Sequence, residues 1–347
     1  SIIQSNGDNE YKVILDKYFK YSPSIYQNIH NLKDKIKDSE DLKKLTKEIQ
    51  ILEEEITLFH ANAVNEIIKK YKHNIDFVGF HGQTIFHNEK EKISKQLGDG
   101  KLLSKITKKT VIYEFRKNDL RKGGNGAPLT PIFHKLLKSK FKINGVTFIN
   151  IGGIVNITSL DNKERMSGTD IGPGMCLIDS WIRKKTKKNY DENGILARSG
   201  NIDKKILKEM IENFYEKEKT FKKGPIKSFD TKFFDFSYIK DMNLEDGTAT
   251  LTEFTAQIII STLKLRKKYK EEIVLCGGGR KNIFLVEKLK KENNKIKLID
   301  DYGIDGDFIE SQAFAYLAIR SFLKLPLTFP ETTGVSEPSS GGIIIKN

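Results

Sequence analysis

The chain has 347 residues, 60 Lys and Arg against 46 Asp and Glu, a net charge of +14 and 38% hydrophobic residues. That length suits one large or two medium domains at roughly 150 residues each. No apolar run approaches the about 20 residues that span a bilayer, and no signal peptide is visible, so a cytoplasmic protein without a membrane partner is expected. Two cysteines, Cys176 and Cys276, exclude a disulfide scaffold and read as small core residues. The charge excess is lysine scattered along the chain, with no aromatic residues interleaved with arginine, which reads as a solvated surface and excludes nucleic acid as a partner.

In chain order, Ile2-Ile3 and Tyr11–Ile14 flank the turn Ser5-Asn-Gly-Asp8 and predict a hairpin. Asp38-Ser39 opens a long helix whose stripe, Leu42, Leu45, Ile49, Leu52, Ile56, Phe59 and Ala63, runs to Tyr71. Residues 75–80 form a buried strand that ends in the polar quartet His81-Gly-Gln-Thr84. Open α/β sheets place ligand groups at such strand ends. His81 and His87 lack a third partner for a metal site, and hydrogen bonding to a substrate suits them better. Residues 111–115 form another strand, followed by Arg116, Asp119 and the loop Gly123-Gly-Asn-Gly-Ala-Pro128. That loop is not a Walker A sequence. Arg116 is either a planar fork for carboxylate or phosphate or half of a surface ion pair with Asp119.

The second half reads as strand 145–151, the turn Gly152-Gly153 and strand 157–160, a hairpin whose amides can hold phosphate. Gly168-Thr-Asp-Ile-Gly-Pro-Gly174 reads as a loop opening a helix through Leu177, Ile178, Trp181 and Ile182. Asp170 stands just outside that helix start, as a cap or as a ligand group. Residues 183–250 are lysine-rich, with breaks at residues 191–194 and at Gly224-Pro225. A capping box at Thr250-Leu-Thr-Glu253 starts the next helix. Strand 272–276 meets Gly277-Gly-Gly279 and then a helix over 284–290, the layout of a nucleotide site. Glu310 opens the last large helix, either as a dipole-favoured cap or as a substrate ligand. The alternation of elements predicts α/β, with a boundary near residue 140 and the final residues returning to a sheet edge.

Eight motifs stand in the order of one family: His81-Gly-Gln-Thr84; Gly98-Asp99; Phe115-Arg116 with Asp119; residues 123–128; Asn150-Ile-Gly-Gly-Ile-Val-Asn156; Asp170-Ile-Gly-Pro-Gly174 with Asp179 and Trp181; Cys276-Gly-Gly-Gly279 with Asn282; and Gly306-Asp-Phe-Ile-Glu310 with Ala313-Phe-Ala315. Together they resemble the anhydro-N-acetylmuramic acid kinase family. The resemblance implies a two-lobed actin-like ATPase fold of the sugar kinase, Hsp70 and actin type, with an interdomain cleft, an N-terminal lobe over 1–140 and a C-terminal lobe over 141–347. It implies ATP-dependent phosphorylation of 1,6-anhydro-N-acetylmuramic acid with hydrolytic opening of the anhydro ring, in peptidoglycan recycling. Another sugar kinase of the same fold, or a catalytically dead binding protein, are the alternatives.

By that resemblance Asp170 is the base. Gly152, Gly153, Asn156, Gly277, Gly278, Gly279 and Asn282 face the nucleotide; His81, Gln83, Arg116, Asp119, Asn125 and Glu310 face the sugar. ATP and Mg²⁺ are the cofactors, no metal ligand is named, and the family suggests a homodimer. The family's opening strand and its Gly-Thr-Ser-x-Asp-Gly phosphate loop do not appear before Ser1; a truncated sequence that binds ATP poorly as written is the expectation. Residues 227–232 depart from the family's Lys-Ser-Thr-Gly-Arg-Glu run, and Tyr113-Glu114 from its Gly-Asp.

Overall fold

The structure is a computed structural model that describes residues 1–71, 74–221, 229, 231–268 and 271–347. Gly224-Pro225 and residues 227, 228 and 230 of the divergent run lie outside the described residues. The chain forms two compact units, one of residues 1–136 with 310–347, the other of residues 137–309. The expected switch near residue 140 therefore has a counterpart at residue 309, where the chain returns to the first unit.

The first unit begins with the hairpin β1 (Ile2–Ser5) and β2 (Tyr11–Leu15), antiparallel as expected. Helix α1 (Pro23–Lys35) starts at Pro23, where Ser22 Oγ accepts from the Ile25 amide; this Ser-Pro start signal was not read in the sequence. The long helix expected from residue 39 is broken at Leu45 into α2 (Ser39–Lys44) and α3 (Thr46–Lys70). Thr46 Oγ1 donates to Lys43 O at 2.6 Å, and such side-chain bonding competes with the helix ladder. Ile25, Ile29 and Leu32 of α1 pack with Ile49, Leu52 and Ile56 of α3 in one buried cluster.

Strand β3 (Phe77–Phe80) is followed by a hairpin of β4 (Gln83–Asn88) and β5 (Ile93–Leu97). The polar quartet expected at a strand end is thus half turn and half strand. Gly82 makes the turn at φ +71°, a backbone conformation open to glycine. Then come α4 (Gly100–Thr107), capped by Asp99, β6 (Thr110–Tyr113) and α5 (Lys117–Arg121). Helix α6 (Pro131–Phe141) crosses the boundary.

The second unit is built on a five-stranded sheet of β7 (Val146–Ile151), β8 (Ile154–Leu160), β9 (Met166–Pro173), β10 (Glu272–Cys276) and β11 (Ile296–Leu298), ordered β11-β10-β7-β8-β9. Its helices are α7 (Cys176–Lys185), α8 (Ile195–Ser199), α9 (Lys204–Phe221), α10 (Leu244–Leu265) and α11 (Ile283–Glu292). One sheet face packs Ile149, Ile157 and Ile171 against Ile259 of α10 and Leu285 of α11. Helix α10 starts earlier than the Thr250 capping box suggested: Asn243 caps it, accepting from the Asp246 amide at 2.7 Å. Two of its threonines satisfy their hydroxyls inside the helix, Thr248 Oγ1 on Leu244 O and Thr252 Oγ1 on Thr248 O, while Thr250 Oγ1 accepts from Asp203 N and Thr255 Oγ1 donates to Gly174 O.

The chain then re-enters the first unit through α12 (Ile309–Phe322), α13 (Pro330–Thr333) and β12 (Ile343–Ile345). Strand β12 pairs antiparallel with β6, giving a three-stranded sheet in the order β12-β6-β3. Among the described residues no helix is long and apolar enough to cross a membrane.

Gly247 of α10 makes a close helix contact in the second unit. A Cβ there would lie 2.7 Å from the indole of Trp181, which is fully buried and donates through Nε1 to Leu244 O at 3.1 Å. Gly247→Ala should lower the urea midpoint by the equivalent of about 1–3 kcal/mol, an overpacking cost, even though alanine is the better helix former.

Candidate functional site

Asp170 does not lie in a loop outside a helix start. It sits inside β9, because the turn residues Gly172 and Pro173 are themselves part of the strand and helix α7 begins only at Cys176. Pairing explains the extended backbone: Asp170 lies opposite Asn156 of β8, and Asn156 opposite Asn150 of β7. Residues directly opposite share a sheet face. The register therefore places Asn150, Asn156 and Asp170 in one row, on the face turned away from Ile149, Ile157 and Ile171. At about 5 Å between opposed Cβ atoms, the row spans about 10 Å.

Within the row Asp170 is 8% exposed, and its Oδ2 accepts from the Phe229 amide at 2.9 Å. Among the described residues no hydrogen-bond partner reaches the buried Asn156 Oδ1. A buried acceptor without a partner is costly, so the row has unused bonding capacity beside a carboxylate. The Asp170 carboxyl is hence in a polar row and not in the apolar cluster behind the sheet.

The Gly152-Gly153 turn is fixed to the start of α7. Gly174 and Cys176 amides donate to Gly153 O, at 2.9 and 3.1 Å, and the Met175 amide donates to Gly152 O at 2.8 Å. Gly174 has no room for a Cβ against Gly152 O. Asn150 ties this turn to the triple glycine: its Oδ1 would lie 2.5 Å from a Cβ on Gly277, and its Nδ2 3.8 Å from one on Gly152. Sequence reasoning left Asn150 out of the site, although it stands in the Asn150–Asn156 motif.

The three glycines do different things. Gly277 has φ +79°, and a Cβ would also meet Ile151 O at 2.7 Å. Gly279 is pressed against the Ile151 side chain. Only Gly278 faces open space, with nothing within 4 Å of a built Cβ. Asn282 Oδ1 caps α11, accepting from Leu285 N at 3.0 Å, and its buried Nδ2 has no hydrogen-bond partner among the described residues. Arg280 anchors the turn from below: Nη1 donates to Gly277 O at 3.2 Å, and Nε and Nη2 grip Asp300 at 2.7 and 3.1 Å. Arg280 was not singled out from sequence; its neighbours Asp300 and Asp307 were the only available hint.

Asp179, one turn into α7, is pushed up to about 7 by burial, with Arg183 pulling it down and Asp191 adding to the rise. Its buried Oδ1 has no hydrogen-bond partner among the described residues. A carboxyl raised in the folded state favours folding at low pH. Wild-type stability from this group therefore falls as pH rises from about 4 to about 7 and is level above that. Urea midpoints should show Asp179→Asn gaining on wild type across that window and keeping a constant difference at higher pH.

The first unit assembles a second polar group. Arg116 Nη1 donates to Gly126 O at 2.8 Å, and Nη2 lies 3.0 Å from His81 Nε2. His81 stacks on Phe314 at 4.1 Å between ring centroids. Burial first, and the Arg116 charge second, hold His81 down at about 3. It is therefore a neutral imidazole whose Nε2 accepts from Arg116. His87 is likewise lowered, to about 4, by burial and by Arg116.

Asp119 is 1% exposed, and its oxygens accept from Gly126 N and from Thr333 Oγ1, each at 2.6 Å. It holds the glycine-rich loop and the α13 end together and does not pair with Arg116. Thr333 was not anticipated. Asn125 is 5% exposed and its amide donates to Thr333 O at 2.8 Å. Gln83 starts β4 and is half-buried. Glu310 stands in the first turn of α12 with exposed surface; surrounding protein raises its carboxyl, and the Arg116 charge opposes the rise. Among the described residues no group of three or more His, Cys, Asp or Glu could hold a metal ion.

His81 should stay neutral in an NMR titration down to about pH 4. Arg116→Met should raise its pKa while burial keeps it under 6.5. A histidine depressed in the folded state contributes stability that is present above about 6.5 and is lost as pH falls toward 3.

Comparison with known proteins converges on one family. A family model described as anhydro-N-acetylmuramic acid kinase matches residues 4–347. The protein of that description from Pelagibacter ubique is 50% identical over 100% of this chain and 94% of its own length. The one from Rhizobium etli is 36% identical over 86% of this chain and 81% of its own; the one from Agrobacterium fabrum is 32% identical over 100% and 94%. Among solved structures, the activator of 2-hydroxyisocaproyl-CoA dehydratase from Clostridium difficile with bound ADPNP aligns with 50% of this chain and 59% of its own, at 19% identity and a TM-score of 0.33.

Proposed function

Because this chain belongs to the anhydro-N-acetylmuramic acid kinase family, we propose that it phosphorylates 1,6-anhydro-N-acetylmuramic acid with ATP while water opens the anhydro ring, giving N-acetylmuramic acid 6-phosphate for peptidoglycan recycling. The observation that carries the reading is the row Asn150, Asn156 and Asp170, set by strand register beside two glycine turns.

Asp170 is the base. Opening the 1,6-anhydro bridge requires a proton to leave the water that attacks C1, and a carboxylate fixed by the Phe229 amide is oriented to take it. The C1–O6 bond breaks as the C1–O bond to water forms. The released O6 then attacks the γ-phosphorus, and ADP leaves. Phosphoryl transfer of this kind depends mainly on positioning and charge neutralisation.

The residues present fit a nucleotide. Gly278 leaves open space, Asn282 Nδ2 and Asn156 Oδ1 are buried polar atoms with no hydrogen-bond partner among the described residues, and the amides of Gly152-Gly153 suit phosphate oxygens. Mg²⁺, when bound with ATP, supplies charge neutralisation at the phosphates, held chiefly by phosphate oxygens and water. His81, Gln83, Arg116, Asn125 and Glu310 serve the sugar. Arg116 suits the lactyl carboxylate through its planar fork, and the neutral His81 accepts from it and fixes its plane. Asp119 serves indirectly by holding the loop. A cytoplasmic homodimer is the setting the family suggests.

Asp170→Asn keeps an oxygen for the Phe229 amide, so folding and ATP binding should persist while turnover falls by about 10²–10⁴-fold. Mass spectrometry of product formed in ¹⁸O water should place label at C1 of a phosphorylated sugar. An Asn variant with normal turnover, or an unlabelled C1, contradicts the assignment.

A further inference from the structure

The amide that holds Asp170 belongs to Phe229. Phe229 is 3% exposed. Its ring lies 4.9 Å from Phe233 and 5.5 Å from Phe234, centroid to centroid, and 6.3 Å from Phe214 of α9. Phe214 also reaches the strand that carries the base: its ring edge would lie 3.4 Å from a Cβ on Gly172, two residues beyond Asp170. One aromatic cluster therefore grips both sides of the Phe229 N–H to Asp170 Oδ2 hydrogen bond, the donor through the Phe229 ring and the acceptor strand through Gly172. Aromatic pairs with centroids about 4.5–7 Å apart attract one another beyond what their area burial supplies.

We propose that Phe229 and Phe233 are positioning residues for the base: Phe233 locks the Phe229 ring, and the Phe229 amide in turn fixes the orientation of the Asp170 carboxylate. The proposal rests on Asp170 being the base, but its geometry can be read without turnover. A substituent that loosens the ring should lengthen the amide hydrogen bond before it disturbs the sheet, because Phe233 is only half-buried and lies in a short 3₁₀ turn at Thr231–Phe233.

The test uses the full chain. In ¹H–¹⁵N spectra the Phe229 amide proton should lie downfield, as for a donor to a carboxylate, and should move upfield in both Asp170→Ala and Phe233→Ala. With anhydro-sugar and ATP, Phe233→Ala should lower kcat about tenfold, a misplacement effect, with KM for ATP changed by less than about twofold. Phe233→Tyr, which keeps the ring, should recover both readouts. Should Phe233→Ala prove unstable, Phe233→Leu gives the same two measurements. An unmoved Phe229 proton in folded Phe233→Ala overturns the proposal, as does a kcat loss that Phe233→Tyr does not recover. Normal turnover in Asp170→Asn, with the Phe229 shift still sensitive to Phe233, refutes Asp170 as base and leaves the aromatic lock as a purely structural device.

Discussion

The pairing register of β7, β8 and β9 is the constraint on which the second unit's chemistry depends. Side chains alternate along a strand, so the same register that buries Ile149, Ile157 and Ile171 against α10 and α11 sends Asn150, Asn156 and Asp170 to the other face. A slip of one residue would exchange the two sets. It would put a carboxylate among isoleucines and expose apolar surface where the polar row now stands. The hydrophobic term that stabilises the sheet thus also specifies where the base lies, and no separate interaction is needed to choose its face.

The glycine turns extend this constraint to the sheet's end. Gly277 and Gly279 are small because β7 presses on them, through Asn150 Oδ1, Ile151 O and the Ile151 side chain. Arg280 holds the turn through Gly277 O and Asp300, bonds to charged groups being about twice as strong as neutral ones. What is left open is one position, Gly278. The first unit uses a parallel device: Asp119 is spent on Gly126 and Thr333, while Arg116 meets the Gly126 carbonyl and a neutral histidine.

Much of this was legible in the sequence because it is written in period and punctuation. Strands β3, β6, β7 and β10 announce themselves by apolar runs, and the glycine turns by composition. The reading failed where a local signal competed with a long-range one. Gly172-Pro173-Gly174 is turn chemistry taken alone, yet pairing with Ile154 and Val155 holds the first two residues in a strand. Thr250-Leu-Thr-Glu253 is a good capping box, yet Asn243 started the helix earlier, and Thr250 Oγ1 accepts from Asp203 N instead of capping. The roles of Asn150, Thr333 and Phe229 could not be read at all. Each depends on a neighbour remote in sequence, 214 residues away for Asp119 and Thr333 and 59 for Asp170 and Phe229.

The return of residues 310–347 to the first unit bears on how the chain acquires its shape during synthesis. Strand β12 closes the edge of β6 only after some 230 further residues have emerged, whereas residues 137–309 are contiguous. The later-made unit can mature first on the ribosome, and the earlier-made one must wait with β6 uncovered on one side. Truncations from the carboxyl end therefore strike the half of the molecule that was translated first.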